Sequence, residues 1–446
     1  MDAAAIDLID DVNVTTVLLA NPLDWRVRAV EQVTLEGSSS CLRQRSLQVA
    51  PLRELVASAA QVGAAKRAWI ALNVAPMPRG PLLDFNVEGP LGNAFLLPRH
   101  EIANRQASLL EIMSAEAGLP VDSEVRKLLG VLLGFPQVYG LDSLHADPLR
   151  QFIEDGTGVT VPDPVLEEFL RIGEECSQLL EPRMDEVVQV NALQQPALGI
   201  PDLMNSGDLA TLGDAEELLE VYRCWLESLA RLSDDSSPNI ADEVLNSIAD
   251  YGSNYDLIVA VQVPLDEPFT IKYSERRDLV LSRWRNQGSQ SLVIADAQSN
   301  HVALRVTDPN VRIVDADALA SDGLPAFGAF TARATDQAYA FYAHSQDREY
   351  RVSLQFTLAP LLRLQAVPYV VAALLFLLAA GLSVESVTTL RDAALVVGPA
   401  ALAASVLLAR EPSTLGSKLR AASSAAVLFG LLAVVLIATW RYVQAR

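Results

Sequence analysis

Residues 350–384 read YRVSLQFTLAPLLRLQAVPYVVAALLFLLAAGLSV, and this stretch decides how the chain divides. Its start alternates. Tyr350, Val352, Leu354, Phe356 and Leu358 share one face of a strand, against Arg351, Ser353, Gln355 and Thr357 on the other. After Pro360 the alternation gives way to Ala366–Val384, 19 residues without a charge. A helix rises 1.5 Å per residue, so about 20 residues cross a hydrocarbon core about 30 Å thick. A half-buried strand therefore feeds an apolar helix with almost no stalk between them.

Two further uncharged runs follow, Ala393–Ala409 (17 residues, with Gly398-Pro399 inside) and Ala421–Trp440 (20 residues). Charged breaks, Glu385 to Asp392 and Arg410 to Arg420, separate the three. Tyr369 and Trp440 stand near run ends, where amphipathic rings favour the headgroup level. The expectation is a three-helix transmembrane tail over 361–446, with spans at 366–384, 393–409 and 421–440 in the lipid bilayer. The middle run is at the lower length limit, and a re-entrant path there would return the C-terminus to the side of the N-terminus. Small residues crowd the tail (Gly398, Ala400, Ala401, Ala403, Ala404 and Ser405, then Ala421 to Ala426) and permit close helix packing in lipid. They fit an anchor folded on itself, and also offer faces for a homo-oligomer. No ionisable residue lies inside a span, which weighs against a conducting pore.

Charge divides the same way. Of 34 basic and 55 acidic residues, seven and three follow Pro360, which leaves 27 and 52 before it. The first 360 residues thus carry −25 and the tail +4. A body so acidic repels phosphate backbones, excluding nucleic acid as a partner through any broad basic surface. It is equally unsuited to lying flat on anionic lipid. The basic residues are 30 Arg and 4 Lys amid abundant Ala, Leu and Val, a bias that fits a high-GC bacterial genome. Met1–Asp7 has no basic n-region, and Val14–Ala20 is too short and polar for a signal peptide. The expected location is therefore the cell (inner) membrane, multi-pass, with a cytoplasmic body. Three crossings place Arg363, Arg410, Lys418 and Arg420 inside and Arg391, Arg441 and Arg446 outside, a small excess in the sense of the positive-inside rule. Cys41, Cys176 and Cys224 are odd in number and widely spaced, which reads as buried small hydrophobes in a reducing compartment.

The body reads as a multi-domain α+β region. Residues 1–99 form a β-rich domain: Trp25–Val30 alternates apolar and charged positions, Leu42–Val49 follows a Gly-Ser turn, then come Trp69–Val74, Leu83–Val87 and Ala94–Leu97. Residues 100–251 form a helical segment. Ile102, Gln106, Leu109, Leu110 and Met113 share a helix face, as do Val125, Leu128, Leu129 and Leu132. Asp163-Pro164 opens another helix as N-cap and first residue, and Asp214 with Glu217 starts a fourth. Val187–Leu212 lacks periodicity and reads as a long loop. Residues 255–360 form a β-sandwich of about seven strands, in which Ser291–Ala295 and Val302–Val306 read as a hairpin. Ile70–Pro76 echoes Ile258–Pro264, and the helical segment reads as an insertion between neighbouring β regions.

Chemistry is sparse. His100, His145, His301 and His344 have no His or Cys at metal-ligand spacing, and no HExxH, GxSxG or GxxxxGK[ST] occurs. No catalytic residue and no cofactor is assigned. Asp308, Asp315 and Asp317, with Asp322, are weak candidates for Ca²⁺, since carboxylates gather there without the regular calcium loop; a solvated sheet edge is the plainer reading. The favoured function is a non-enzymatic, membrane-anchored protein that binds a protein partner or ligand through its acidic body. The alternatives are a ligand-gated effector whose clustered helices perturb the bilayer, and a hydrolase housed in the helical segment.

Overall fold

The computed structural model describes residues 5–37, 39–78, 83–135, 146–184, 191–234, 239–279, 281–282, 287–294, 297–320, 331–344, 350–384, 397–402, 405, 415–419 and 421–444. The architecture is mixed α+β. The chain begins β1 (Ile6–Asp7), α1 (Val12–Ala20), α2 (Pro22–Trp25), β2 (Arg26–Leu35), β3 (Ser40–Val49), α3 (Arg53–Ala59) and β4 (Arg67–Pro78). It continues β5 (Leu83–Gly89), β6 (Gly92–Asn93) and β7 (Phe95–Leu96). Helices follow: α4 (Arg99–Glu116), α5 (Ser123–Gly134), α6 (Ala146–Thr157), α7 (Asp163–Leu180), α8 (Ile200–Ser206), α9 (Leu212–Asp234) and α10 (Ile240–Ser253). Strands return as β8 (Asn254–Pro264), β9 (Phe269–Asp278), β10 (Gln287–Ile294), β11 (Ser299–Val306), β12 (Val311–Ala320), β13 (Thr331–Ala334), β14 (Ala338–His344) and β15 (Tyr350–Pro360). The end comprises α11 (Leu362–Val384), α12 (Leu415–Leu419) and α13 (Ala421–Gln444). Two compact units result: Met1–Arg28, Leu47–Pro81 and Val87–Lys272 form the first, and Ala29–Ser46, Leu82–Asn86 and Tyr273–Arg446 the second.

The first unit holds a sheet in the order β1-β4-β8-β7. Its centre is the antiparallel pair β4 and β8, with Ile70 opposite Val261 and Leu72 opposite Val259. The two echoing segments are thus direct partners. Their register slips between Asn73 and Pro76, where proline supplies no N–H to the ladder. Leu257 to Val261 are all buried, as a continuous apolar run in a central strand requires. Against this sheet Ile102 of α4 packs with Ala71, Leu97, Ile258 and Ala260. The helices build a separate core from Leu110, Leu128, Leu132, Phe169, Ile172, Tyr222, Leu226 and Ile248.

Several boundaries differ from the sequence reading. Pro162 takes the N-cap position of α7, which puts Asp163 and Pro164 inside its first turn. The start of α9 is fixed by Thr211 and Asp214, which exchange hydrogen bonds: Asp214 N–H donates to Thr211 Oγ1 (3.1 Å) and Thr211 N–H to Asp214 Oδ2 (2.9 Å). The reciprocal cap therefore lies three residues before the expected one. The expected loop Val187–Leu212 contains a 3₁₀ turn at Pro196–Gly199 and then α8, with Pro196 to Leu198 buried; tight turns of this kind leave no 3.6-residue period to read. Helices α1 and α3 interrupt the supposed β-rich start. Asp11 caps α1 by accepting from Asn13 N–H (3.0 Å) and Val14 N–H (3.3 Å), and this overrides the β-branched composition of the helix.

In the second unit a three-stranded sheet, β10-β15-β12, shares a core with a larger sheet whose strands there run β13-β14-β11-β2-β3-β9-β5. Val302, Leu304 and Phe341 from one and Leu354, Phe356 and Leu358 from the other fill that core, while Gln355 is exposed. The hairpin expected from Ser291–Ala295 and Val302–Val306 is not formed. β10 pairs with β15 and β11 with β14, so the turn-rich connection carries the chain from one sheet to the other. Strands from the start of the chain, β2 and β3, stand between β11 and β9.

Among the described residues two helical stretches, not three, are long and apolar enough to cross a membrane: Ala366–Val384 and Ser423–Gln444. Of the middle run Ala393–Ala409 only 397–402, helical, and residue 405 are described; the remainder lies outside the described residues.

Candidate functional site

The apolar helices pack along a seam of Ala372, Leu375, Ala379 and Leu382 on α11 and Val427, Val434 and Ala438 on α13. At Gly430 the approach is close: a Cβ there would lie 3.0 Å from Leu375 Cβ and 3.4 Å from Ala372 O. Away from the seam large apolar side chains stand open, including Leu377 (68% exposed), Phe429 (63%) and Trp440 (64%). Each such side chain costs about 1.5–3 kcal/mol when left in water rather than buried. A contiguous exposed surface of this kind is the mark of an interaction with a partner or a lipid phase.

Both helices are rooted at one place, the β11–β12 turn. Leu361 N–H, just before α11, donates to Asn310 O (2.9 Å). Gly416 N–H of α12 donates to Asp308 Oδ2 (2.8 Å), and Asn310 N–H to Asp308 Oδ1 (2.9 Å). Leu415 and Leu419 of α12 are buried in the sandwich core, and α13 starts two residues later. Asp308 therefore spends both carboxylate oxygens on backbone amides. Asp315 is exposed on β12 at the register shift after Ile313, opposite Thr357, and Asp317 falls opposite Gln355. Asp322 lies outside the described residues. No group of three His, Cys, Asp or Glu able to hold a metal occurs among the described residues.

Two polar centres that sequence reasoning missed are buried. In the first unit Asp256 of β8 accepts from Asn73 Nδ2 (2.7 Å), Gln106 Nε2 (3.2 Å) and Tyr251 Oη (2.9 Å). Burial raises its pKa above the ordinary carboxylate value, while those hydrogen bonds and Arg26 pull the other way. It ties the sheet to α4 and α10. In the second unit Glu31, Arg43, Arg45, Tyr273, Glu275 and Arg277 occupy alternate positions on β2, β3 and β9. Arg43 bonds Glu31 through Nε and reaches Glu275 at 3.3 Å; Arg45 lies 3.6 Å from Glu31, and Arg277 Nε 2.6 Å from Glu275. Burial opposes charge on Arg43, yet Glu31, Tyr273 and Glu275 raise its pKa overall; burial lowers that of Arg277. The sequence shows only alternation here, and charged positions in an alternating strand read as outward. Val30 is instead exposed and Glu31 buried.

A groove of about 690 Å³ opens in the first unit where β4 begins, β5 turns into β6 and β8 turns into β9. Lys66, Arg67 and Lys272 line it, with Glu88, Asp266 and Glu267. Arg53 grips Asp266 (Nη2–Oδ2 2.8 Å), holding its carboxyl below the usual carboxylate range, and also donates to Gly63 O (3.2 Å). That pairing takes one carboxylate out of play and leaves the exposed cations in modest excess along the groove.

Cys41 and Cys176 are buried, and burial pushes their thiols up to about 11 and about 12. Cys224, contrary to expectation, is exposed, because it falls on the outer face of α9 beside Arg223 and Glu220. His100 is exposed, and His301 meets the Tyr342 ring edge-on at 4.3 Å. His145 lies outside the described residues.

No protein-family profile matches the chain, and no curated protein or solved structure is significantly similar to it.

Proposed function

We propose that the protein is a multi-pass membrane protein whose acidic body faces the cytoplasm of a bacterial cell and binds a ligand or protein partner without catalysing a reaction. The observation that carries this reading is the outward apolar face of α11 and α13. At 23 and 24 residues these helices are about 35 Å long, enough to cross a hydrocarbon core. The apolar run Ala393–Ala409 joins them as a third span, and the small residues of the tail offer a surface for self-association. The body's charge of −25 keeps it off anionic headgroups. In that acidic setting the groove beside Lys66, Arg67 and Lys272 is the place that suits a ligand bearing an anionic group.

The effector reading has one observation in its favour. Both helices are rooted in the β11–β12 turn, which gives the sandwich a direct hold on them. The test of the main reading is extraction of the full chain from expressing cells. It should pellet with membranes, resist alkaline carbonate and dissolve only in detergent. A monodisperse chain in detergent-free buffer refutes the membrane assignment.

A further inference from the structure

We infer that α11 and α13 cross the bilayer in the same direction, so that the chain recrosses between them and its C-terminal end emerges on the side away from the sandwich. This rests on the membrane reading above and adds the order of the crossings.

One observation fixes the direction, and a second is compatible with it. Each helix leaves the sandwich from its own N-terminus: Leu361 is bonded to Asn310 immediately before α11, and Leu419 is buried in the sandwich core two residues before α13. An antiparallel hairpin would instead start α13 beside Val384, about 33 Å from the start of α11 at 1.5 Å per residue. The second observation is where the helices touch. Gly430 lies nine residues beyond Ala421, and its partners Ala372 and Leu375 lie ten and thirteen beyond Leu362. A contact at mid-length suits either sense, because Leu375 is also nine residues from the end of α11 at Val384; the shared start at the sandwich is what makes the helices parallel.

Connectivity does the rest. The chain leaves α11 at Val384, at its far end, and is back in the sandwich core at Leu415. With a bilayer around the helices, the 30 residues between must pass back through it. Val397 and Ala400 pack in the same apolar cluster as α11 and α13, so the returning chain runs beside them. The uncharged run Ala393–Ala409 supplies about 25 Å of helix-equivalent length for that passage. In the sequence the charged stretches Glu385 to Asp392 and Arg410 to Arg420 bound this run.

The test uses the full chain with one short epitope before Met1 and another after Arg446. Protease is added to sealed inside-out vesicles and, separately, to spheroplasts. The expected result is that the two epitopes are lost from opposite preparations, the Met1 epitope in one and the Arg446 epitope in the other. Loss of both from the same preparation, with the chain resistant to carbonate, overturns the parallel order while leaving the membrane reading intact. Release of the chain by carbonate removes the membrane reading, and this inference with it.

Discussion

Replacing Asp256 tests whether a buried carboxylate holds the first unit together. Its two oxygens receive three donors, from Asn73, Gln106 and Tyr251. Asp256→Ala strands those donors away from water at about 1–3 kcal/mol each, and rotation of Gln106 recovers part, so the loss should be about 3–6 kcal/mol. Asp256→Asn keeps the shape and one acceptor. Its amide meets Gln106 and Tyr251, both of which can turn an oxygen toward it, so the loss should be about 1–2 kcal/mol. The assay is urea unfolding of the full chain in detergent micelles, read by tryptophan fluorescence, with midpoint and slope both fitted. Charge adds a second, independent readout. Because burial raises Asp256 above its ordinary value of 3.8, its contribution is fully present below that pH and is lost as pH rises through the folded-state pKa. Wild type should therefore lose ground to Asp256→Asn as pH rises above about 4, other carboxylates cancelling in the difference. An alanine variant no weaker than the asparagine one, or a wild type that gains on asparagine with rising pH, refutes the reasoning.

Three further outcomes are expected. Arg43→Ala removes the cation shared by Glu31 and Glu275, leaves Glu31 only the longer contact to Arg45 (3.6 Å) while Glu275 keeps Arg277, and should cost about 3–5 kcal/mol in the same unfolding assay, with Glu31→Gln in the same chain restoring part. Maleimide at neutral pH should modify Cys224 alone in the native chain and all three cysteines once urea is added; rapid native labelling of Cys41 or Cys176 contradicts their burial. Gly430→Val should force α11 and α13 apart at Leu375 and Ala372, costing about 1–3 kcal/mol and lowering the thermal aggregation point in micelles, whereas Leu377→Val on the outer face should change little.

What could be read from the sequence follows from which forces leave a periodic trace. β15 and β8 were legible because alternation and continuous apolarity report the faces they bury. α4, α5 and α7 were legible from side chains at helical spacing. α1 was not, since Val12–Ala20 is rich in β-branched residues and only the Asp11 cap declares it. The pairing of β2 and β3 with β9 and β11 was hidden, because strand neighbours more than two hundred residues apart share no local signal. The polar centres were hidden for a related reason. Glu31, Arg43 and Glu275 look like surface charges until three strands bring them together, and Asp256 looks like a strand edge until Asn73, Gln106 and Tyr251 converge on it. Asp308 was singled out by its acidic neighbours, but the structure gives both of its oxygens to amides of the turn and of α12.

The rooting of α11 and α13 in a single turn has a mechanical side. Two stiff rods clamped at one point, and zipped together along Gly430, cannot pivot separately. A bilayer that thins or thickens makes a helix lean to match its apolar length. Here neither rod can lean without carrying Asp308, Asn310 and the strand ends that hold them. On the membrane reading proposed above, strain imposed in the lipid would arrive at the sandwich as torque on one hinge, and a push on that hinge would reach both rods at once.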